Sequence, residues 1–210
     1  MLGSVYNVAV AGLLALALGV APLEPAAAQG TPMKLGVRRL ASQAPFFMGI
    51  ERGYFADAGV DAELVFFVAA VPGTLAIASR DVDLAVVGFT PAFFNLAYFG
   101  GVVVIAGHSR EVPGFPNTGV YASNKAWDAG VRTMADLRGR VIGLTTLGST
   151  NHYAVARIAE RYGFDINDNH LVPAQGLGNL AAMLMGNQID VASGAGTSFM
   201  GLISQGKAHL

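Results

Sequence analysis

The apolar positions of the chain fall into short runs that alternate with helical patterns. In the first half, four such runs predict strands at residues 33–37, 60–68, 84–87 and 102–106. The run at 60–68 is nearly apolar throughout, which is typical of a strand that is covered on both faces. Strands that alternate with helices in this way predict an α/β unit with a parallel sheet.

Helices are predicted between these strands. One begins at Pro45 and ends at Gly59, and one face of it carries Phe47, Ile50 and Tyr54. Two more are predicted at residues 72–80 and 91–100, because a proline opens each of them. The first half of the chain therefore consists of three helices interleaved with four strands.

A segment rich in proline and glycine, residues 109–117, interrupts the alternation, and we place the crossing between two units there. Beyond it, strands are predicted at 118–123, 140–144, 170–174 and near Val191, with helices at 151–162 and 179–185. The longer helix has an apolar stripe at helical spacing, formed by Val155, Ile158, Ala159 and Tyr162. The domains expected are a first lobe at residues 29–116 and a second at 117–210.

Two pairs of short matching segments suggest that the two halves are built alike. Residues 59–61 match 163–165, and residues 82–85, which lead to Gly88, match 189–192, which lead to Gly194. Two explanations stay open: a duplication, or the turn and strand preferences that all α/β units share.

The first 28 residues are typical of a secretory signal peptide. An apolar stretch is followed by prolines and then by small residues that predict cleavage near Ala28, although no Lys or Arg precedes the stretch. The alternative is a buried helix, but the stretch has no amphipathic spacing. Its apolar run of about 14 residues is shorter than the roughly 20 that a membrane-spanning helix needs. We therefore expect export to the periplasm rather than membrane insertion.

Composition narrows the function classes. The chain is 53% hydrophobic and 13% charged, with a mean hydropathy of +0.48. Removing residues 1–28 removes one charged residue, Glu24, and leaves a formal charge of zero, so no basic surface for nucleic acid is expected. The absence of cysteine excludes disulfides, thiolate metal sites and a cysteine nucleophile. The histidines lack metal-ligand spacing, so neither a metal nor a cofactor is expected.

The loop at residues 145–152 is the sharpest candidate for a binding site. It follows a predicted strand and opens a helix, and ligands of α/β proteins bind at such places. The unpaired N–H groups near Gly148, together with the hydroxyls of Ser149 and Thr150, can hold an anionic oxygen, and His152 can donate to a ligand. The alternative is an ordinary N-cap, in which Ser149 or Thr150 satisfies its own helix.

Three other strand ends supply candidate ligand residues. The first carries Gln43, Phe46 and Phe47, the third carries Phe89 and Thr90, and a loop of the second unit carries Thr197. Phe47 fits core packing better, whereas Phe46 and Phe89 fit a pocket wall and a core equally well. Arg110 is a possible counter-charge, although a solvated loop arginine is the simpler interpretation.

Several of these segments resemble one family. Residues 45–55 with 59–61, and then 81–88, look like the first lobe of periplasmic substrate-binding proteins of the nitrate, sulfonate and taurine type. Residues 136–143, the loop from Gly148 to His152 and residues 186–192 resemble its second lobe. The resemblance extends from about Met33 to the end of the chain.

The resemblance implies a two-lobed, periplasmic-binding-protein type II-like α/β fold, with a mainly parallel sheet flanked by helices in each lobe. It implies a monomeric, non-enzymatic protein that closes on a small-molecule ligand and delivers it to an ABC permease in the inner membrane. The ligand contacts it implies lie in residues 43–47, 88–90 and 148–152. In this family the chain returns to complete the first lobe, and here it stops near the end of the second, so we expect an incomplete first lobe and a C-terminally truncated chain.

Two alternatives to an importer's solute binder remain. One is a binder of pyrimidines or thiamine precursors, or an enzyme that synthesises them on the same fold, but those enzymes use a cysteine-rich segment. The other is a sensory effector-binding domain, which requires a DNA-binding or transmembrane segment that the chain lacks.

Overall fold

The computed structural model describes residues 30–110, 112 and 117–210. The candidate signal peptide, and most of the segment at which we placed the crossing between units, lie outside the described residues. Within them, no helix combines the length and the apolar character that crossing a bilayer requires.

The first sheet is a small parallel sheet. Its strands are β1 (Thr31–Val37), β2 (Val60–Phe66) and β3 (Leu84–Ala85), in the order β2-β1-β3. The helices of this half are α1 (Ala44–Glu51), α2 (Tyr54–Asp57), α3 (Ala70–Ala78) and α4 (Pro91–Tyr98), and a 3-10 turn at Ala41–Gln43 precedes α1. We call the residues packed around this sheet the N-terminal unit.

The second sheet has five strands in the order β6-β5-β7-β4-β8. They are β4 (Thr118–Ser123), β5 (Val141–Leu144), β6 (His170–Pro173), β7 (Val191–Ala195) and β8 (Ala208–His209). The helices are α5 (Asn124–Asp128), α6 (Thr150–Tyr162), α7 (Leu177–Met185) and α8 (Met200–Ser204). Three 3-10 turns complete this C-terminal unit, at Met134–Leu137, Ile166–Asp168 and Gly196–Ser198. β5, β6 and β7 are parallel, and β4 runs antiparallel to both of its neighbours.

The core of the C-terminal unit lies on both faces of its sheet. One face packs against α5 and α6 through Ile142, Leu144, Val155, Ala159 and Val191. The other packs against α7 and the chain before α8 through Tyr121, Leu180, Leu184, Ala192 and Phe199. The apolar stripe predicted for α6 is buried against this sheet, and this burial explains why the helix forms here. Tyr162, at the end of the stripe, stays exposed.

The likeness between the two halves is present in three dimensions. Three parallel strands of each unit share one order, since β2-β1-β3 matches β6-β5-β7. Asp83 accepts a hydrogen bond from the Lys34 N–H in β1 at 2.7 Å, and Asp190 accepts one from the Val141 N–H in β5 at 3.0 Å. An equivalent carboxylate therefore anchors the central strand of these three in both units.

The prediction of a strand at residues 102–106 is wrong. Within the described part of the chain no strand pairs with this run; β3, the edge strand beside β1, is only two residues long (Leu84–Ala85) and offers a short edge for pairing. The run is extended without strand pairing, and Val103, Val104 and Ile105 are 78%, 56% and 72% exposed.

Two further predictions for the N-terminal unit need correction. β2 is not covered on both faces, because it is the edge strand of its sheet and exposes Asp61 and Glu63. The helix predicted from Pro45 to Gly59 is divided into α1 and α2, since Gly53 adopts a left-handed conformation with φ of 74° between them. Tyr54, on the far side of that break, is exposed.

Candidate functional site

The candidate site is formed by the loops that follow four parallel strands. The carboxyl ends of β1 and β3 meet at one edge of the first sheet, and those of β5 and β7 meet at one edge of the second. These loops, together with the first turns of the helices that follow them, contain the ten residues that the sequence indicated, namely Gln43, Phe46, Phe47, Phe89, Thr90, Gly148, Ser149, Thr150, His152 and Thr197. Ligands of α/β proteins bind at this end of the strands.

The loops of the two units touch each other. A methyl group placed on Gly88, after β3, would lie 2.7 Å from Cγ2 of Thr150 at the start of α6. A second contact joins Val68 to Gly176, where the corresponding distance is 4.0 Å. The two strand-end surfaces therefore approach each other closely at these two places.

Gln43 supports the chain at the end of β1. Its side chain is 1% exposed, and its Oε1 accepts a hydrogen bond from the Arg38 N–H at 2.6 Å. The ring of Phe46 stacks on His108 at 5.4 Å, and the ring of Phe47 packs on Phe66 at 6.1 Å. Phe47 thus has the packing contact expected of it, and Gln43 fixes the backbone from which Arg38 projects.

Arg38 is a candidate ligand residue that the sequence analysis missed. It follows the last residue of β1, and its Nε is buried without a hydrogen-bond partner. No carboxylate of the described residues forms an ion pair with it. Desolvation by burial lowers the pKa of the guanidinium below its usual value. An arginine placed directly after a buried strand was the signal that could have revealed it.

The loop after β3 caps α4. Thr90 is fully buried, and its Oγ1 accepts a hydrogen bond from the Phe93 N–H at 3.2 Å, so the hydroxyl serves as the N-cap. Phe89 is 59% exposed and lies against the rings of Phe93 and Phe94 at 5.1 and 5.9 Å. Phe89 is accordingly the aromatic residue of this loop that has a free face.

The loop before α6 is closed by its own hydrogen bonds. The Gly148 N–H donates to Nδ1 of His152 at 3.0 Å, and the His152 N–H donates to Oγ of Ser149 at 3.2 Å. Ser149 is therefore the N-cap, as the simpler interpretation predicted, and the Gly148 N–H is occupied. Because Nδ1 of His152 accepts, the neutral ring carries its hydrogen on Nε2 and can donate from there. The N–H groups of Thr150 and Asn151, in the first turn of the helix, have no partner within it.

Unsatisfied polar atoms concentrate on this side of the molecule. Five buried side-chain atoms in the described part of the chain lack a partner, and three of them belong to Arg38, Thr146 and Ser193. Thr146 follows β5, and Ser193 lies in β7. The other two, in Asn124 and Asn169, lie at the opposite end of the second sheet. A buried polar group without a partner is costly, so these positions need another molecule to satisfy them.

A cavity of about 420 Å³ opens beside the loop before α6. It lies between α6 and the second sheet, and its polar lining comes from Thr118, Thr150, Asn151 and Ser193. Its size is within the range of small-molecule sites, about 300–1,000 Å³. Thr197 and Arg110 are exposed and do not line it.

The chain belongs to the NMT1/THI5-like family, whose profile matches residues 41–209. Its mixed α/β fold, with mainly parallel sheets flanked by helices, is that of type II periplasmic binding proteins. No curated protein sequence matches the chain.

Solved structures of binding proteins resemble the chain in fold. The alkanesulfonate-binding protein SsuA of Xanthomonas axonopodis, bound to MOPS, is 21% identical with a TM-score of 0.67, and the match covers 87% of this chain and 60% of that one. The nitrate-binding protein NrtA of Synechocystis is 17% identical with a TM-score of 0.62, over 86% of this chain and 51% of that one. A Prochlorococcus marinus protein in complex with methylphosphonate is 10% identical with a TM-score of 0.64, over 86% and 71%.

The chain spans about 60% of the length of the alkanesulfonate-binding protein and about half of the nitrate-binding protein. Of these three structures, two are described as binding proteins for anionic solutes and the third as a complex with methylphosphonate. At these identities the likeness concerns the fold.

Proposed function

We propose that the chain is the solute-binding component of an ABC import system. It captures a small anion, such as a sulfonate, taurine or nitrate, between a first lobe at residues 29–116 and a second at 117–210. The bound solute is delivered to a permease in the inner membrane. In this proposal residues 1–28 are a signal peptide cleaved near Ala28, and the protein acts as a periplasmic monomer without a cofactor.

The observation that carries this proposal is the uncompensated charge of Arg38. A guanidinium that is partly withdrawn from water, without a carboxylate beside it, is stabilised by an anion that enters the cleft. A protein without a ligand would gain nothing from such an arrangement, because an unpaired charge lowers stability.

The second unit supplies neutral donors for the same ligand. The hydroxyls of Thr146 and Thr150, the Nε2–H of His152 and the first N–H groups of α6 can all donate to anionic oxygens. Ser149 can donate its hydroxyl hydrogen while its oxygen caps the helix. A single cation combined with neutral donors suits a monoanion, because a second charge would remain uncompensated.

The aromatic residues of the N-terminal unit suit the remainder of the ligand. The exposed face of Phe89 and the stacked pair of Phe46 and His108 offer flat apolar surfaces. The same surfaces would accept a neutral pyrimidine, which is the second candidate ligand.

Isothermal titration calorimetry with methanesulfonate, taurine, nitrate and a neutral pyrimidine tests the proposal. We expect saturable binding of at least one anion with 1:1 stoichiometry. Substitution of Arg38 by Met should weaken that binding at least tenfold, as expected for loss of a charged hydrogen bond of about 1.5–3 kcal/mol. The matched variant Arg110→Met removes an exposed arginine and should leave the affinity unchanged.

Two results would contradict the proposal. If only the pyrimidine binds, the ligand is the second candidate, a neutral pyrimidine, and not an anion. Binding of an anion with equal affinity to the wild type and to Arg38→Met would remove the observation on which the assignment depends.

A further inference from the structure

The cavity beside α6 extends away from the cleft into the C-terminal unit. Its lining includes Thr150, the residue that lies against Gly88 of the other unit, so it reaches the junction of the two units. Its apolar lining consists of Val120, Met134, Ala154 and Ile158. The successive positions 150, 154 and 158 of α6 line one side, about 6 Å apart along the helix axis.

Ser193 interrupts this apolar lining. It is fully buried, its Oγ has no hydrogen-bond partner, and it lines the cavity. It is paired with Val120 of β4, two residues inside the edge at which Thr118 pairs with Ala195. At about 3.3 Å per strand residue, the hydroxyl lies roughly 7 Å below that edge. Its neighbour Val191 on the same face of β7 belongs to the apolar core, so an aliphatic residue would have suited Ser193's position equally well.

We propose that this cavity is a subsite for the tail of the ligand. The proposal rests on the proposed function, because it places the anionic head at the cleft loops and the tail beneath α6. The apolar lining selects an aliphatic chain, and the hydroxyl of Ser193 selects a hydrogen-bonding group about four carbons from the head. The ligand class is therefore an aliphatic monoanion with a hydroxyl or a similar polar group on its chain, rather than the smallest inorganic anions.

A chain-length series tests the apolar part of the subsite. Methane-, propane- and pentanesulfonate are titrated calorimetrically into the purified chain. The affinity is expected to rise about threefold to fourfold for each added methylene that enters the cavity. In Ala154→Phe, whose ring fills the cavity, the ratio of pentanesulfonate to methanesulfonate affinity falls to near one. The matched variant Ala156→Phe adds the same ring on another face of α6 and keeps the wild-type ratio.

A second comparison tests the contact between Ser193 and the ligand. It does not require the fold to accommodate the phenylalanine of Ala154→Phe. The wild type is expected to bind 4-hydroxybutanesulfonate as well as pentanesulfonate, since Ser193 compensates the hydroxyl. In Ser193→Ala, a smaller and conservative change, the hydroxylated ligand loses about tenfold in affinity while pentanesulfonate does not.

The outcomes separate the two proposals. Binding of all three alkanesulfonates with equal affinity overturns the tail subsite and leaves the proposed function standing. A length dependence that persists in Ala154→Phe places the tail elsewhere and also overturns the subsite. Failure of every sulfonate to bind, methanesulfonate included, overturns the assignment of a sulfonate-type ligand and the subsite with it.

Discussion

Arg38 shows how one side chain can carry more functional information than a motif. It lies one residue after β1, where the backbone is held by Gln43, and its Nε is buried without a partner. The pattern of apolar runs predicted the strand but gave no weight to the residue following it. Its position directly after a buried strand was a signal in the sequence, but burial and the lack of a partner are properties of the folded chain, so the structure was needed to distinguish it from the other arginines.

The substitution Arg38→Met should raise the stability of the fold while it weakens anion binding. Replacing a partly buried, unpaired charge with an apolar side chain of similar length is expected to raise the free energy of unfolding by about 1–2 kcal/mol. Chemical denaturation of the ligand-free chain measures this. A loss of stability in Arg38→Met would contradict the view that the charge is uncompensated, and Arg110→Met is the control for removing a solvated charge.

Asp136 should make the fold sensitive to acid. Its Oδ2 accepts hydrogen bonds from the N–H groups of Arg132 and Thr133 and from the Thr133 hydroxyl, and these hold the pKa of the carboxyl below its ordinary value. The folded state therefore gains stability above the unfolded pKa of about 3.9, and loses it as the pH falls through the lower folded value.

The variant Asp136→Asn tests this by thermal unfolding as a function of pH. The wild type should unfold at a higher temperature than the variant at pH 7, and the difference should shrink as the pH approaches 2. Asp128→Asn, at the end of α5, is the control. A difference independent of pH would show that the carboxylate charge is not responsible.

At the scale of elements, the repeated arrangement of strands explains which predictions held. The strands whose carboxyl ends form the site were predicted near their observed positions, because each is an apolar run between clear turn residues. The run at 102–106 has the same composition and forms no strand. Strand formation depends on a partner edge as well as on side chains, and a single sequence does not reveal whether the edge is available.

The aspartate that anchors β1 or β5, the central strand of the three parallel strands in each unit, can be tested by mutation. Asp190→Ala removes the acceptor for the Val141 N–H and should lower the free energy of unfolding by about 1–2 kcal/mol. Asp190→Asn keeps an acceptor oxygen and should recover more than half of the loss. Equal effects of the two substitutions, measured by urea denaturation, would mean that the hydrogen bond is not what the residue contributes.

At the scale of the whole molecule, the site arises from the meeting of two units. The ten residues that the sequence indicated lie in the loops and first helical turns that follow strands of the two sheets, because the carboxyl ends of parallel strands share one edge of each sheet. Their individual roles were harder to predict. Ser149 and Thr90 are helix caps, and Gln43 is buried, where it supports the backbone. Ser193, whose hydroxyl has no hydrogen-bond partner, lies within a strand rather than in a loop.

The contact between Gly88 and Thr150 predicts that a binding defect caused by a substitution at Gly88 is reversed by a second substitution at Thr150. In Gly88→Ala the added methyl group would lie 2.7 Å from Cγ2 of Thr150 and should hold the cleft open, which weakens anion binding at least tenfold. Thr150→Ser removes Cγ2 and retains the hydroxyl. The double variant should therefore recover most of the affinity that Gly88→Ala loses, as measured by calorimetry.

A double variant no better than Gly88→Ala alone would show that the contact does not control closure. Thr150→Ser by itself is the reference for the cycle, because it reports any direct effect of the lost methyl group on binding.

The most direct test of the account is an NMR titration of the Arg38 Nε–H group. Its resonance is assigned as the arginine Nε–H signal that disappears in Arg38→Met, and methanesulfonate is then added to the ¹⁵N-labelled wild type. If Arg38 binds the anion, its resonance should shift downfield and saturate, because the buried Nε–H gains an anionic acceptor. Two results would contradict this role of Arg38. In one, the anion binds and the resonance does not move; in the other, the anion does not bind at all.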